Sequence, residues 1–397
     1  MMRETGRLLL GIQARARFAA YSVFGHKTDC AAEFIKNWDS YILKSPDGAL
    51  EVTVSGGKLT YSAAVGKTPV IEPSEIGLLV QGGVNLGEDA VLGEPKTDSK
   101  EEIRRDPDTE TDITDRHINY IFPVRSKKFR YSLEVRIWND GFGFRLLFDK
   151  NTGLLVADEP TQFNVPGDTV CRYQTDLKKM QGKTLTKKTS ALPSGEIFSC
   201  MTAFEFPEKD IYTMITESDI ENYPGMALRS LGAGKFKVEL WDTDKFFIKG
   251  GKTPWRIITV CRSLEELVRC RVITHSAAPS SEKIYENAEW IRPGKSAWSY
   301  FIDEEHSRRF EKIMEFNALA EQAGYEYNLA DNGWRDWART EHGAFKKVKE
   351  LVDDAEKRSV GIWLWQSAMD RVWFAPYRRR FFKNCQRLGI KGIKLDH

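Results

Sequence analysis

The chain has 397 residues, 41% of them hydrophobic and 29% charged, with a formal net charge of +2. That balance is that of a globular chain with room for two or three domains, and it gives no case for a nucleic-acid partner. No apolar run reaches the roughly 18 residues of a membrane-spanning helix, and six cysteines without a C-x-x-C spacing, beside six scattered histidines, argue against a zinc site.

Residues 1–38 read as a leader or a disordered segment. Arg3, Arg7 and Leu8-Leu-Leu10 have the charge and apolarity of a secretory leader, but Arg15 and Arg17 interrupt the apolar stretch at once. Residues 39–273 are strand-like almost throughout. Leu50–Val54, Lys58–Ser62, Tyr131–Trp138, Phe144–Phe148 and Lys235–Trp241 alternate apolar with polar residues, and turn clusters such as Ser45-Pro-Asp-Gly48 and Asn139-Asp-Gly141 separate them. Glu101–Arg116 is dense in charge and reads as a solvated loop, as does the basic stretch Lys183–Lys188. Gly232-Ala-Gly-Lys235 resembles a phosphate loop only superficially. Phe236 stands where Ser or Thr is needed, so a hairpin turn is expected.

Residues 274–293 are expected to be a linker, and from 294 to 397 the period changes. Ala297–Phe301, Tyr325–Asp331, Val360–Trp365 and the closing run at Ile390–Asp396 read as strands. Between them lie helical patterns: Phe310, Ile313, Phe316 and Ala320, then Phe345, Val348, Leu351, Val352 and Ala355. In the third, Pro376 opens a helix whose buried side is Phe381, Phe382, Cys385 and Leu388. The predicted fold class is therefore multidomain α and β, an N-terminal β-supersandwich followed by the first half of a (β/α)8 barrel.

Parallel α/β folds place reacting groups at the carboxyl ends of their strands. Those ends here carry Asp331-Asn-Gly-Trp334, Trp365-Gln366 and Lys394-Leu-Asp396. Lys394 and Asp396 are two apart on one strand and so share a face. A carboxylate beside a lysine suits a nucleophile in glycosyl transfer, and capping the next helix is the competing role for Asp396. Eleven Trp and thirteen Tyr fit sugar stacking, although such residues more often serve a core.

Six segments in order and spacing carry a family resemblance: Ser45–Gly48, Arg136-Ile-Trp-Asn-Asp-Gly-Phe-Gly-Phe-Arg145, Ile215-Thr-Glu-Ser-Asp-Ile-Glu-Asn-Tyr-Pro-Gly-Met226, Thr253-Pro-Trp-Arg256, Trp290–Trp298 and Gly392–Asp396. From about Tyr41 onward the chain resembles glycoside hydrolase family 97, a calcium-dependent α-glucosidase and α-galactosidase group. Trp365-Gln-Ser-Ala-Met-Asp370 lacks the His and Glu of the inverting branch, so the resemblance is to the retaining branch. It implies an oligosaccharide substrate, Asp396 as nucleophile, and sugar contacts from Asp331, Trp334, Trp365 and Lys394. It also implies calcium, with Glu217 as one ligand, although Glu217 could instead lie in a loop with Asp219 and Glu221 and face water. Asn332 departs from the usual acidic residue, which leaves the sugar open. The acid/base is expected beyond His397, and periplasmic or secreted localisation is implied. The alternative is a non-catalytic sugar-binding remnant with a mutarotase-like β-sandwich.

Overall fold

The computed structural model describes residues 34–37, 39–105, 111–127, 129–175, 182–241, 245–278, 290–301, 308–370 and 372–396. Most of the expected leader therefore lies outside the described residues. The chain divides into two compact units, Met1–Pro279 and Ser280–His397. Among the described residues no helix is long and apolar enough to cross a membrane.

The first unit is built from antiparallel pairs in a nine-stranded and a thirteen-stranded sheet. Strict alternation drives it. In Leu50–Ser55 and Thr60–Val65 every second side chain is buried and its neighbour is not, which sends one row of each strand into the core. Aromatic rings from the two sheets meet there. Tyr61 of one sheet packs 4.6 Å, centroid to centroid, from Phe144 of the other, and its hydroxyl donates to the Gln162 carbonyl at 2.9 Å. A β-sandwich follows from two such faces.

Three expectations change here. Glu101–Arg105 and Asp112–Arg116 are not loop: they belong to the strands Lys96–Arg105 and Asp112–Ser126, which pair antiparallel. Opposite charges face each other across the ladder, Arg105 with Asp112 at 3.6 Å and Arg116 with Glu101 at 3.4 Å. Cross-strand ion pairs thus stand in for the missing apolar alternation. Leu185–Lys188 is likewise an exposed strand paired with Val170–Tyr173, with lysines on a sheet edge, where they discourage further pairing. Finally, the unit closes with two short helices, Leu264–Arg269 and Val272–Ser276, so the stretch expected to open an extended linker at 274 is still helical. Gly232–Lys235 does turn a hairpin, with Gly232 and Gly234 at φ 90° and 80°.

The second unit alternates strand and helix: β1 (Ser296–Trp298), α1 (Phe310–Ala323), β2 (Tyr327–Ala330), α2 (Glu341–Lys357), β3 (Gly361–Ser367), α3 (Ala375–Leu388) and β4 (Gly392–Asp396). The four strands are parallel and lie side by side in chain order. Thr340 caps α2 by accepting from the Gly343 N–H, while Gly324 and Gly389 end α1 and α3 at positive φ, a conformation glycine adopts without a Cβ penalty. On α3 the buried row is Tyr377, Phe381, Cys385 and Leu388, and Phe382, expected inside, is 42% exposed. It lies one residue, about 100° of helix, off that row.

Buried amides tie several elements of this unit together. Asn328 on β2 donates to the Ile313 carbonyl and to Asn317 Oδ1 on α1. Asn317 in turn donates to the Leu351 carbonyl and to Asp354 on α2. One buried ladder thus ties β2, α1 and α2 together.

Candidate active site

The parallel register sets Trp365 beside Lys394 and Ser367 beside Asp396. On β3, Ile362, Leu364 and Gln366 are buried on the side packed by helices, whereas Trp363, Trp365 and Ser367 occupy the opposite face and are half-buried. Lys394 and Asp396 follow that second face, as the two-residue period requires.

Lys394 is the hub. Its ammonium lies 2.8 Å from Asp331 Oδ2, 3.7 Å from Asp396 Oδ2 and 4.2 Å from the centre of the Trp298 ring. Asp331 Oδ1 also accepts the Asn332 N–H at 2.6 Å, and Trp365 Nε1 donates to Asp396 Oδ2 at 3.2 Å. Four strand ends thereby converge on one cation with two carboxylates and two indoles around it. The ammonium offsets the repulsion between the carboxylates. Asp331 is the more enclosed, with 9% of its side chain exposed against 38% for Asp396. The accessible carboxylate is thus Asp396, held in orientation by an indole N–H.

Trp334 does not face this cluster. It is 1% exposed, packs on Phe345 at 5.2 Å between ring centroids and donates its Nε1 proton to the Trp365 carbonyl at 2.8 Å. A buried indole cannot stack on a sugar, so the sequence expectation for Trp334 is corrected to support of β3. Gln366 is also buried, its side-chain carbonyl accepting from Arg335. Arg335 was not anticipated. Its guanidinium lies 4.6 Å over the Trp334 ring and donates to Glu341 at 3.2 Å, joining the segment after β2 to α2 and β3. Trp298 was read only as a strand residue, although an aromatic at the end of the first strand was a usable signal.

The first unit holds buried charge of its own. Glu217 lies on the strand Ile211–Ser218 rather than in a loop. Its Oε2 accepts from Arg256 Nη1 at 2.6 Å and its Oε1 from the Met226 N–H at 2.7 Å. Arg256 also donates twice to Glu159, at 2.7 and 2.6 Å, and the Tyr223 hydroxyl donates to the same carboxylate at 2.7 Å. Burial alone would lower the Arg256 pKa, but Glu159 and Glu217 overcome it and hold the guanidinium above its ordinary value. Burial, followed by the charge of Glu159, raises the Tyr223 hydroxyl well above its ordinary range. Nearby, Arg145 bonds Glu134 at 2.6 Å and Asp219 at 2.9 Å and lies 4.2 Å over Trp255.

Calcium takes six to eight oxygens. Among the described residues no group of three or more His, Cys, Asp or Glu side chains is placed to hold a metal, and both Glu217 oxygens already accept hydrogen bonds. As they stand, these residues do not fit the ion.

Residues 43–279 match the family model described as Glycosyl-hydrolase 97 N-terminal. A retaining alpha-galactosidase of Bacteroides thetaiotaomicron is 25% identical over 408 residues, covering 90% of this chain and 59% of its own length. A probable retaining alpha-galactosidase of Streptomyces bingchenggensis is 25% identical over 364 residues, covering 88% and 55%. The chain thus spans a little over half of each relative. Among solved structures, a beta-arabinopyranosidase superposes with a TM-score of 0.76 at 22% identity, covering 89% of this chain and 61% of that one. A family 97 enzyme from Pseudoalteromonas sp. strain K8 in complex with acarbose gives 0.74 at 17%, covering 90% and 59%. These two show the fold. With the family model matching well over half of its residues, the chain belongs to glycoside hydrolase family 97.

Proposed function

We propose that the chain contributes the nucleophile to a retaining glycoside hydrolase site for terminal α-galactosides, with Asp396 attacking the anomeric carbon. One observation carries this reading: Asp396 is a half-exposed carboxylate at a strand's carboxyl end, oriented by Trp365 Nε1 and neighboured by Lys394. The relatives named retaining alpha-galactosidases support the reaction class.

In that chemistry an Asp396 oxygen bonds to the anomeric carbon as the exocyclic C–O bond breaks. The leaving oxygen takes a proton from a second carboxyl group, and water then cleaves the glycosyl ester, so two inversions give net retention. The proton donor is proposed to come from outside these 397 residues, since both relatives are longer than the stretch they share with this chain. Asp331, fixed by Lys394, is proposed to accept hydrogen bonds from sugar hydroxyls, and Trp365 to offer its ring face.

The sugar is the finer question. An α-galactoside and a β-L-arabinopyranoside differ only in the exocyclic CH2OH, so the assay panel includes both, and α-glucosides as the second choice. The test is covalent capture: incubate the chain with a ring-fluorinated α-galactosyl fluoride, whose fluoride leaves without help from a proton donor, digest it, and map the label. Label on Asp396 is expected, suppressed by galactose. Label on Asp331 or Asp370, or none on Asp396, removes the assignment. Calcium is a separate proposal that requires Glu217 to leave Arg256; calorimetric titration with calcium chloride tests it. Export to the periplasm or beyond belongs to the same reading and is tested by fractionation.

A further inference from the structure

Cys261 ends the last long strand of the β-unit, Trp255–Cys261, and Cys270 caps the carboxyl end of the short helix Leu264–Arg269. Both thiols are free, Cys261 buried and Cys270 half-buried. Their sulfurs converge on one acceptor. Cys261 Sγ lies 3.9 Å and Cys270 Sγ 3.8 Å from the same Asp140 carbonyl oxygen. The helix between them buries none of its own side chains. Its place is kept by its amino end, where Ser263 accepts the Glu266 N–H at 3.1 Å and Glu266 accepts the Arg262 N–H at 2.6 Å. A turn with so little burial keeps two sulfurs together only if its ends are fixed, and the carboxyl end is fixed by Cys270 and by Val272, which is 1% exposed.

We infer that Cys261 and Cys270 are a disulfide-forming pair that closes the Arg262–Arg269 turn onto the sandwich when a disulfide oxidant is present. The step is thiol–disulfide exchange. Cys270, the more accessible sulfur, loses its proton and attacks a small disulfide, releasing one thiolate and forming a mixed disulfide. Cys261, as thiolate, displaces the second thiolate from Cys270. Two protons leave the protein and pass to the two released thiolates, and the oxidant gains the two electrons. The neighbouring Cys261 thiol and then burial push the Cys270 thiol upward, so exchange in the folded chain is slow at neutral pH and quickens with alkalinity. The closed loop of about ten residues constrains the unfolded chain, and a rise in melting temperature of roughly 5–10 °C follows.

The test uses the full chain, refolded from denaturant in a glutathione redox buffer at pH 8 and, separately, in excess reductant. Thiols are then blocked with a maleimide and the protein digested for mass spectrometry. The expected result is a Cys261–Cys270 linked peptide in the glutathione sample, absent after reduction, with the higher melting temperature lost in Cys270→Ser. Recovery of both cysteines as maleimide adducts overturns the inference. So does Cys270 trapped as a stable glutathione adduct beside a free Cys261, because it shows that the sulfurs cannot close.

Discussion

Arg256 has 2% of its side chain exposed and stands between Glu159 and Glu217, two carboxylates almost as enclosed. A buried ion pair is weak evidence of net stabilisation, but removing one partner strands the other in low dielectric. Arg256→Met is therefore expected to cost about 3–5 kcal/mol and to lower the melting temperature by roughly 10 °C. Glu217→Gln, which keeps an acceptor for the Met226 N–H, should cost far less. Equal melting temperatures for wild type and Arg256→Met would show that the cluster does not hold these strands. A second residue-scale prediction concerns acid. Burial lowers the His275 pKa, against the upward pull of Asp115, while Arg104 and His117 push it further down and Asp140 up. Burial by itself would raise Asp115, but the His117 and Trp138 hydrogen bonds and the charges of both histidines leave it lowered. Both shifts have one sign: each group's contribution is complete above its unfolded-state pKa and is lost as pH falls. The His275 part fades below about pH 6.5 and the Asp115 part below about pH 3.9. Thermal melts should show the midpoint falling between about pH 7 and pH 5, and less steeply in His275→Asn. An identical slope in that variant would remove His275 from the account.

At the scale of elements, β4 depends on a glycine. A Cβ on Gly392 would fall within the Trp363 ring, and one on Gly361 would crowd the Tyr327 ring. Tyr327 and Trp363 meet edge to face at 5.8 Å, so large rings on one strand lie over glycines on the next, the large–small alternation by which parallel sheets fill an inner layer. Gly392→Ala is expected to destabilise the second unit by about 1–3 kcal/mol through overpacking and to loosen the Trp365–Asp396 hydrogen bond. Loss of fluorosugar labelling at Asp396 with little change in secondary structure would report that loosening, and unchanged labelling with unchanged stability would refute it. The helices and strands of this unit were legible because their apolar periods are long and clean. The pairing of Lys96–Arg105 with Asp112–Ser126 was not, because its cross-strand ion pairs leave no apolar alternation to read. The side that Phe382 faces was also missed, since two adjacent phenylalanines both fit a helical face and only packing decides between them. Trp334 failed for a related reason: it lies in a turn, where no period distinguishes a buried ring from a presented one.

Across the whole chain, what was legible in the candidate site was its strand-end geometry, because the period of two alone puts Lys394 and Asp396 together. The Glu217–Arg256 bond spans 39 positions and leaves no local trace, so neither the strand position of Glu217 nor its internal salt bridge was legible. The two units also differ in how they are stabilised. The sandwich core runs through both sheets, from Phe34 to Val260, with aromatic and aliphatic rows facing one another. The second unit has its own separate cluster, gathered between the strands and α1–α3. Its β4 strand pairs on one side with β3, Ile393 is only partly buried and Leu395 is 56% exposed. Separate cores with unequal burial predict separate unfolding. Differential scanning calorimetry of the 397-residue chain is expected to show two transitions, the second unit melting first. Gly392→Ala should move only the lower one and Arg256→Met only the upper. A single transition moved by both substitutions would mean that the two cores unfold as one cooperative body, and the independence argued from their burial would be lost.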